Sequence, residues 1–258
     1  MKKAVRLFIF VPALLFSLGL AAQPRVIAHR GYWNTAGSAQ NSITALRLAQ
    51  ETKAFGSEFD VLLTSDGVPV VNHDATYQGF DIQECTYEQL KDLKLPNGET
   101  LPTLEEYLIA GKKDPQTRLV LEIKSHKTEE AEMRAVEVIV NMVKRLGVEK
   151  QVDYISFSLP MCKALVKQAP DNLTAYLGSN TSPRELYDMG IKNVDFHYGV
   201  FDKNPDWMQQ AKELNMSINV WTVNDLNVLK RLINQEVDYV TTDYPEEAQH
   251  LINRMTSK

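Results

Sequence analysis

The sequence predicts a single-domain α/β protein, a (β/α)8 TIM barrel, and two observations carry that prediction. Short β-branched runs alternate with helical segments throughout the chain after residue 22, as in a parallel sheet covered by helices. No long linker or low-complexity tract divides this stretch. A doubly wound open sheet is the alternative, but no glycine-rich phosphate loop follows the first strand. We therefore predict one barrel domain over residues 23–258.

The predicted barrel contains eight strands and eight helices. Strands are predicted at 26–28, 59–61, 119–123, 153–157, 174–177, 194–196, 218–221 and 239–241. Helices are predicted at 42–53, 104–112, 129–146, 159–168, 183–188, 206–214, 225–235 and 245–254. The helix at 129–146 has apolar residues at helical spacing, which indicates one buried face: Met133, Val136, Ile139, Val140 and Val143.

A β-hairpin is expected to leave the barrel after the second strand. Asp66-Gly67, flanked by apolar β-formers, predicts a two-residue turn. That turn would place Asp60 opposite His73, and a slip of one residue would change the pairing. Glu58 and Asp60 are two positions apart, so both carboxylates would point to the same face of the strand.

Residues 1–22 have the pattern of a secretory signal peptide. A charged start, Met1-Lys2-Lys3, precedes an apolar stretch from Leu7 to Leu20 and a small-residue cleavage site at Ala21-Ala22-Gln23. The apolar stretch is short for a membrane-spanning helix. No cysteine lies near the cleavage site, so the sequence does not support a lipoprotein signal. We expect a periplasmic or secreted protein without a stable membrane anchor after cleavage.

Composition narrows the possible partners. The net charge is -5 with both signs interspersed and no basic block, which argues against nucleic-acid binding. Cys85 and Cys162 are far apart in sequence, and we expect two unpaired thiols, although an oxidising compartment would allow a disulfide. The sequence does not indicate an oligomeric state.

Polar side chains lie at the predicted strand ends, where a barrel of this kind carries its catalytic groups. Glu58, Asp60 and Glu122 would suit a hard divalent cation such as Ca²⁺ or Mg²⁺. Inward-facing carboxylates also need a compensating positive charge. His29 and His73 would flank the cation as an acid–base pair.

Basic and aromatic residues at the same strand ends predict an anionic substrate. Arg30 and Lys124 supply positive charge, and a phosphodiester fits them. Trp221 is interpreted either as a core aromatic or as a wall against which the substrate stacks. The predicted substrate is therefore a small anionic molecule.

Other polar residues near the strand ends are given structural roles. Asp195 and His197 are expected to be structural or to lie at the rim of the barrel. Asp243 lies just before the last predicted helix and is expected to cap it. His126 and His250 belong to no pattern, so we expect ordinary surface residues.

The motifs taken together resemble those of the glycerophosphodiester phosphodiesterase family, in the family's order. They are Ala28 to Gly31, Gln40 to Ser42, Glu58 to Val61, Thr64 to Asp74, Leu101 to Glu106, Leu121 to Lys124, Val220 to Asn224 and Thr241 to Pro245. The resemblance covers nearly the whole chain after residue 22. It implies a TIM barrel, a divalent metal and hydrolysis of glycerophosphodiesters to an alcohol and glycerol 3-phosphate.

The resemblance also implies roles for individual residues. It assigns acid–base catalysis to His29 and His73, phosphate contact to Arg30 and Lys124, and metal ligation to Glu58, Asp60 and Glu122. The segment Gln40-Asn41-Ser42 departs from the family, which usually has Glu at the first position. Metal affinity or metal choice would differ if that position is a ligand or the partner of one. The stretch 75–118 is short for the family, which favours an open site.

Two other functions fit the same residues. One is a related lyase that acts on a phospholipid and releases a cyclic phosphate, again with a metal and two histidines. The other is a non-catalytic barrel that binds a phosphorylated ligand. The presence of both histidines and all three carboxylates argues against the non-catalytic barrel.

Overall fold

The computed structural model describes residues 23–256, which form a barrel of parallel strands surrounded by helices. The strands are β1 (Arg25–Ala28), β2 (Gly56–Leu63), β3 (Pro69–Val71), β4 (Thr76–Tyr77), β5 (Phe80–Asp81), β6 (Arg118–Ile123), β7 (Val152–Ser156), β8 (Thr174–Tyr176), β9 (Asn193–His197), β10 (Ser217–Trp221) and β11 (Tyr239–Thr242). The helices are α1 (Ile43–Glu51), α2 (Tyr87–Leu90), α3 (Leu104–Gly111), α4 (Glu129–Leu146), α5 (Leu159–Gln168), α6 (Pro183–Asp188), α7 (Tyr198–Lys203), α8 (Trp207–Glu213), α9 (Leu226–Asn234) and α10 (Pro245–Thr256).

The barrel is closed by pairing between its first and last strands. Strand β1 pairs in parallel with both β2 and β11, and the remaining neighbours follow in chain order from β6 to β10. Every predicted strand and every predicted helix is present, and the open doubly wound sheet is excluded because the ring has no gap. The two short helices α2 and α7, of four and six residues, are additional to the predicted ones.

The hydrophobic core has an inner and an outer part. Inside the ring lie apolar side chains of the strands, among them Ile27, Val120 and Ile155. Outside it, the helices pack their apolar faces against the strands, and α4 buries Val136, Ile139, Val140 and Val143 as predicted, with Ala135, while Met133 is only partly buried. The strands are therefore held from both sides, so the residues at their carboxyl ends have fixed positions.

The hairpin from β2 to β3 has a different register from the predicted one. Leu62 pairs with Val70, and Asn72 N donates to Asp60 O at 3.0 Å, so Asp60 faces Asn72 and the predicted pairing with His73 is wrong by one position. The turn spans three residues, because Thr64 N bonds Val68 O at 3.0 Å. Such a loop needs a residue in the left-handed region at its end, and Gly67 has φ +86°.

The segment after β3 folds over one side of the barrel mouth. The β4–β5 hairpin and α2 pack on a small apolar cluster that includes Leu62, Val70, Ile82, Leu90 and Leu101. This cluster is separate from the main core. Although it is short, the segment after β3 therefore has its own small core and forms one side of the mouth beside the strand ends.

Two further expectations concern the chain as a whole. Cys85 and Cys162 are both free thiols, as predicted. Residues 23–256 contain no helix with the length and apolar character needed to cross a membrane. The predicted signal peptide, residues 1–22, lies outside the described residues.

Candidate active site

All eight predicted site residues meet at the carboxyl end of the barrel strands. Seven of them line one cavity of about 140 Å³: His29, Arg30, Glu58, His73, Glu122, Lys124 and Trp221. The eighth, Asp60, contacts the Lys124 ammonium, with 3.2 Å between Oδ1 and Nζ. The folded chain thus assembles a group of residues that are scattered over most of the sequence.

The three predicted metal-binding carboxylates form one buried cluster. Glu58, Asp60 and Glu122 each place a carboxylate oxygen within 4.8 Å of the other two. The β2–β6 register sets Asp60 directly beside Glu122, and Glu58 shares the face of Asp60 as its spacing predicts. The three side chains belong to residues that are only 3%, 1% and 7% exposed. Three buried oxygen ligands this close together suit a hard divalent cation.

Two basic residues partly balance these negative charges. Lys124 Nζ lies 2.8 Å from Glu122 Oε1 and 3.2 Å from Asp60 Oδ1. The Arg30 guanidinium is farther away, with 3.7 Å between Nε and Asp60 Oδ2. Two positive charges against three carboxylates leave the cluster short of positive charge, so a bound cation would complete the balance.

The pKa values in the cluster show the same imbalance. Burial, together with the charges of Asp60 and Glu122, raises the pKa of Glu58 well above its ordinary value. Burial and the charge of Asp60 raise the pKa of Glu122 to about 7. Burial alone would also raise the pKa of Asp60, but Lys124 and other donors outweigh it and lower that pKa. Without a cation the cluster therefore retains protons that ligation would have to displace.

A tight turn after β1 directs the backbone toward the cluster. Arg30 has φ +55° and Gly31 has φ +76°, and this conformation lets Arg30 N donate to Glu58 Oε2 at 2.8 Å. A side chain at Gly31 would meet the backbone carbonyl carbon of Ala45 at 2.7 Å. Only glycine avoids both the strain and the collision at this position.

The neighbouring loop holds two of the site residues by side-chain amides. Asn41 Nδ2 donates to Asp60 Oδ2 at 2.9 Å, and Asp60 N donates back to Asn41 Oδ1 at 3.2 Å. Gln40 Oε1 accepts from Arg30 Nη1 at 2.7 Å. Gln40 therefore orients the guanidinium with a neutral group, so the position at which this chain departs from the family adds no negative charge next to the cluster.

His29 is held by a carboxylate from the other end of the chain. Its Nδ1 lies 2.8 Å from Asp243 Oδ1, and its Nε2 lies 4.0 Å from Glu58 Oε2. Burial alone would raise the pKa of Asp243, but hydrogen bonds from His29, Asn224 and Trp33 lower it. Asp243 is thus an ionised acceptor, so Nδ1 of His29 carries the proton and Nε2 is free to act toward the cavity.

The prediction that Asp243 caps the last helix is therefore wrong. Its Oδ1 accepts from His29 and from Trp33 Nε1 at 2.9 Å, and its Oδ2 accepts from Asn224 at 2.6 Å. Both carboxylate oxygens accept from side chains outside the last helix, so neither caps its backbone N–H groups. In the sequence, the only indication of a role in the site was the position of Asp243, just after a predicted strand and within one of the family motifs.

His73 also has a carboxylate behind it. Its Nδ1 lies 2.7 Å from Asp74 Oδ1, and the Asp74 side chain is 76% exposed. Burial lowers the pKa of His73, and the nearby charge of Asp60 offsets part of that effect. Each histidine therefore has a carboxylate partner of its own at Nδ1, but the His29–Asp243 pair is largely buried whereas the His73–Asp74 pair is more open to solvent.

The family of the chain is decided by comparison with known sequences. The model of the glycerophosphoryl diester phosphodiesterase family matches residues 29–247. The chain belongs to this family. It is accordingly a phosphodiesterase, and the matched range contains every site residue described above.

Relatives match the phosphodiesterase over nearly its full length. A glycerophosphodiester phosphodiesterase of Caldanaerobacter subterraneus is 30% identical, over 89% of this chain and 98% of that protein. The crystal structure of one from Parabacteroides distasonis is 49% identical, with a TM-score of 0.89 over 91% of this chain and 98% of the other. A phosphodiesterase of Oleispira antarctica, solved with the product sn-glycerol-3-phosphate, is 25% identical, with a TM-score of 0.75 over 90% of this chain and 97% of the other.

Trp221 of this phosphodiesterase is both anchored in the barrel and part of the cavity wall. Its Nε1 donates to the backbone oxygen of Asp195 at 3.0 Å, while its ring lines the cavity. Asp195 itself is buried rather than at the rim, and burial raises its pKa to about 7. His197 has a structural role, since its Nδ1 accepts from Gly199 N at 3.1 Å at the start of α7.

His126 is not the ordinary surface residue that was expected. Its Nε2 accepts from Leu63 N at 3.1 Å, and its Nδ1 lies 2.8 Å from Lys124 O. Burial lowers its pKa, which suits a neutral ring that accepts at one nitrogen and donates at the other. The ring thereby ties the end of β2 to the residue that follows β6. His250 is exposed, as expected.

Proposed function

We propose that this phosphodiesterase hydrolyses small glycerophosphodiesters to an alcohol and glycerol 3-phosphate, with a divalent cation and two histidines. The observation that carries the proposal is the buried cluster of Glu58, Asp60 and Glu122, flanked by His29 and His73. The product bound to the Oleispira antarctica phosphodiesterase supports this substrate class.

The three carboxylates of the cluster would hold the cation, for which Ca²⁺ and Mg²⁺ are the candidates. Their oxygens are close enough to share one ion, and their charge exceeds that of Arg30 and Lys124. Such an ion supplies Lewis-acid stabilisation of negative charge on phosphate oxygens. The chain's own contribution is to keep three oxygen ligands together in a buried site, where charge interactions are strong.

Arg30 and Lys124 would bind the phosphate, and Trp221, which lines the same cavity, would contact the substrate. Arg30 is fixed by Gln40 and by the turn that follows β1. Lys124 carries an ammonium at the edge of the cluster, and the charges of Asp60 and Glu122 raise its pKa despite its burial. Both side chains therefore stay charged at neutral pH and can face an anion.

We assign general-base catalysis to His29 and general-acid catalysis to His73. His29 Nε2 would take the proton from the attacking oxygen, either of water or of a neighbouring substrate hydroxyl, as that oxygen bonds to phosphorus. Asp243 would stabilise the resulting imidazolium through Nδ1. His73 would give its proton to the leaving alcohol oxygen as the other P–O bond breaks. The negative charge of the bound phosphodiester would favour the protonated form of His73, offsetting the effect of burial.

A leaving-group experiment tests this assignment. The variants His29→Ala and His73→Ala are compared on a natural glycerophosphodiester and on a p-nitrophenyl ester, whose leaving group needs no proton. Each variant should lose on the order of 10² to 10⁴ in kcat on the natural substrate. The p-nitrophenyl ester should rescue His73→Ala far more than His29→Ala. Equal rescue of both variants would refute the assignment.

A metal and product assay tests the reaction itself. EDTA should abolish turnover, and adding back Ca²⁺ and Mg²⁺ separately should show which ion restores it. Phosphorus NMR should show glycerol 3-phosphate as the final product. A cyclic phosphate that persists would identify a lyase instead, and full activity in EDTA would exclude a metal-dependent reaction.

We also propose that the enzyme acts in the periplasm or outside the cell. The signal-peptide pattern of residues 1–22 supports this location. Cell fractionation combined with N-terminal sequencing of the mature protein tests it. Retention of residue 1 in a cytosolic fraction would contradict it.

A further inference from the structure

His126 bridges the ends of two neighbouring barrel strands. Strands β2 and β6 pair in parallel with Val61 beside Ile123, and Lys124 N donates to Val61 O at 3.1 Å. In a parallel ladder the next bond would run from Leu63 N to Lys124 O. Both groups bond instead to the imidazole of His126, Leu63 N at 3.1 Å from Nε2 and Lys124 O at 2.8 Å from Nδ1. The ring therefore takes the place of one ladder bond where the two strands separate.

Only a neutral imidazole in one tautomer makes this bridge. The Leu63 amide donates and the Lys124 carbonyl accepts, so Nε2 must be without a proton and Nδ1 must carry one. Burial lowers the pKa of His126, and the bond to Lys124 O and the charge of Glu132 on α4 offset part of that effect. The Glu132 carboxylate has its own partner, since Ser158 Oγ donates to it at 2.6 Å. A second proton on the ring would set two N–H groups against each other and break the bond to Leu63.

The bridge holds the backbone of the residue that would bind the phosphate. Lys124 lies just past the end of β6, and its backbone is bonded on one side to Val61 and on the other to His126. Its side chain continues the inward face of β6, so Nζ reaches Glu122 Oε1 and Asp60 Oδ1. Lys124 is among the described residues that line the active-site cavity, and His126 is not. The ring therefore meets the substrate site through Lys124 rather than by direct contact.

We propose that His126 is a positioning residue that holds the Lys124 ammonium where it contacts the phosphate of the substrate. This inference rests on the proposed function, because it takes Lys124 as a phosphate-binding residue. Loss of the bridge would free the Lys124 carbonyl and the Leu63 amide together. The ammonium would then no longer be held in one place beside Glu122 and Asp60, and the substrate would bind more weakly.

A double-mutant cycle tests whether His126 acts through Lys124. The substrate is sn-glycero-3-phosphocholine, with the divalent cation that supports turnover. His126→Leu fills similar space but removes both bonds, and it should raise KM on the order of threefold to tenfold. In the Lys124→Met background the same substitution should change KM by less than about twofold, because the ammonium that it would displace is absent. A purely structural role would give the same factor in both backgrounds. Circular dichroism shows whether each protein is folded.

A conservative variant and the pH dependence supply a second readout. His126→Gln presents a donor and an acceptor on one neutral amide, so at alkaline pH its KM should stay within about twofold of the wild-type KM. As the pH falls below about 6.5, the wild-type KM should rise relative to that of His126→Gln, because only the imidazole can take up a second proton. Titration of His29, His73 and the carboxylate cluster is common to both enzymes, so it cancels from the ratio.

The outcomes separate this inference from the proposed function. Absence of turnover, or unchanged kinetics in Lys124→Met, would overturn the proposed phosphate site and this inference with it. Turnover that depends on Lys124, together with an equal effect of His126→Leu in both backgrounds, would overturn the positioning role alone. An unchanged KM in His126→Leu, or a KM of His126→Gln as high as that of His126→Leu, would do the same. If His126→Leu does not fold, the pH comparison decides, and a KM ratio that stays constant as the pH falls would overturn the proposal.

Discussion

His29 Nδ1 and Asp243 Oδ1 are 2.8 Å apart although 214 positions separate them in sequence. The two residues follow β1 and β11, the neighbouring strands that close the barrel. The carboxylate of Asp243 also accepts from Trp33 and Asn224, so it is fixed from three directions. The pair therefore sets both the tautomer and the orientation of the proposed base.

The variant Asp243→Asn should lower kcat by on the order of 10² to 10⁴. An amide can donate to Nδ1 and thereby favour the tautomer in which Nε2 carries the proton and cannot act as a base. The basic role would then be lost while the fold remains. Steady-state kinetics with circular dichroism measures both effects. Asn224→Ala is the matched control and should cost much less, and equal losses in the two variants would argue against a special role of Asp243.

The metal-free protein should become less stable as pH rises from about 5 to about 8. The pKa of Glu122 is raised to about 7 from its ordinary 4.5, so between these values the folded state binds a proton that the unfolded chain has released. The stabilising contribution is full below the lower value and is lost above the higher one. Thermal unfolding in EDTA measures the trend, and added Ca²⁺ should raise Tm more at the higher pH.

A substitution at the same residue isolates this effect. Glu122→Gln should flatten the dependence of Tm on pH in EDTA, because the neutral amide has no proton to lose. It should also weaken the response to Ca²⁺. An unchanged slope in this variant would show that groups other than Glu122 control the dependence, with Glu58 as the next candidate because its pKa is also raised.

Lys124→Met should raise KM by on the order of 10-fold and lower kcat as well, if the charge contact tightens in the transition state. Lys124 is half-buried at the edge of the cluster and would meet the phosphate. Substrate-saturation kinetics measures both constants. The control is Lys91→Met, since Lys91 contacts only Glu88 on the surface in its ion pair. Unchanged kinetics in Lys124→Met would remove this residue from the phosphate site.

Gly31→Ala should cost about 2 kcal/mol or more in stability and should reduce activity by displacing the Arg30 backbone from Glu58. The added Cβ would lie 2.7 Å from Ala45 at φ +76°. Gly37→Ala is a matched control, because Gly37 has φ +78° but no neighbouring atom within 4 Å. It carries the backbone strain without the collision, so it should keep full activity. Chemical denaturation and turnover assays distinguish the two, and equal behaviour would contradict the structural reason.

Much of the barrel and its metal-binding cluster was predictable because the relevant geometry is local. Glu58 and Asp60 share a face because strand side chains alternate, and the same rule places Lys124 beside Glu122. The parallel order of the strands then brings β2 and β6 together. These rules and the strand ends are sufficient to place four of the site residues: Glu58, Asp60, Glu122 and Lys124.

The remaining features depend on distances that the sequence does not encode locally. The hairpin register was missed because Gly67 lengthens the loop to three residues, and a change of one residue alters every pair. Asp243 was given a local role since its partner comes from the other end of the chain. His126 was overlooked because a backbone N–H, which no sequence pattern marks, is its partner.

Because β1 and β11 close the ring, enzymatic activity requires the complete barrel to be folded. The proposed base takes its position from the first strand and its carboxylate from the last, so a chain that lacks β11 would lack the His29–Asp243 pair however well its other strands had formed. A half-assembled barrel could still gather Glu58, Asp60 and Glu122, which come from β2 and β6 alone. Ion binding and turnover would then appear at different stages of folding, with turnover arriving only when the last strand is in place.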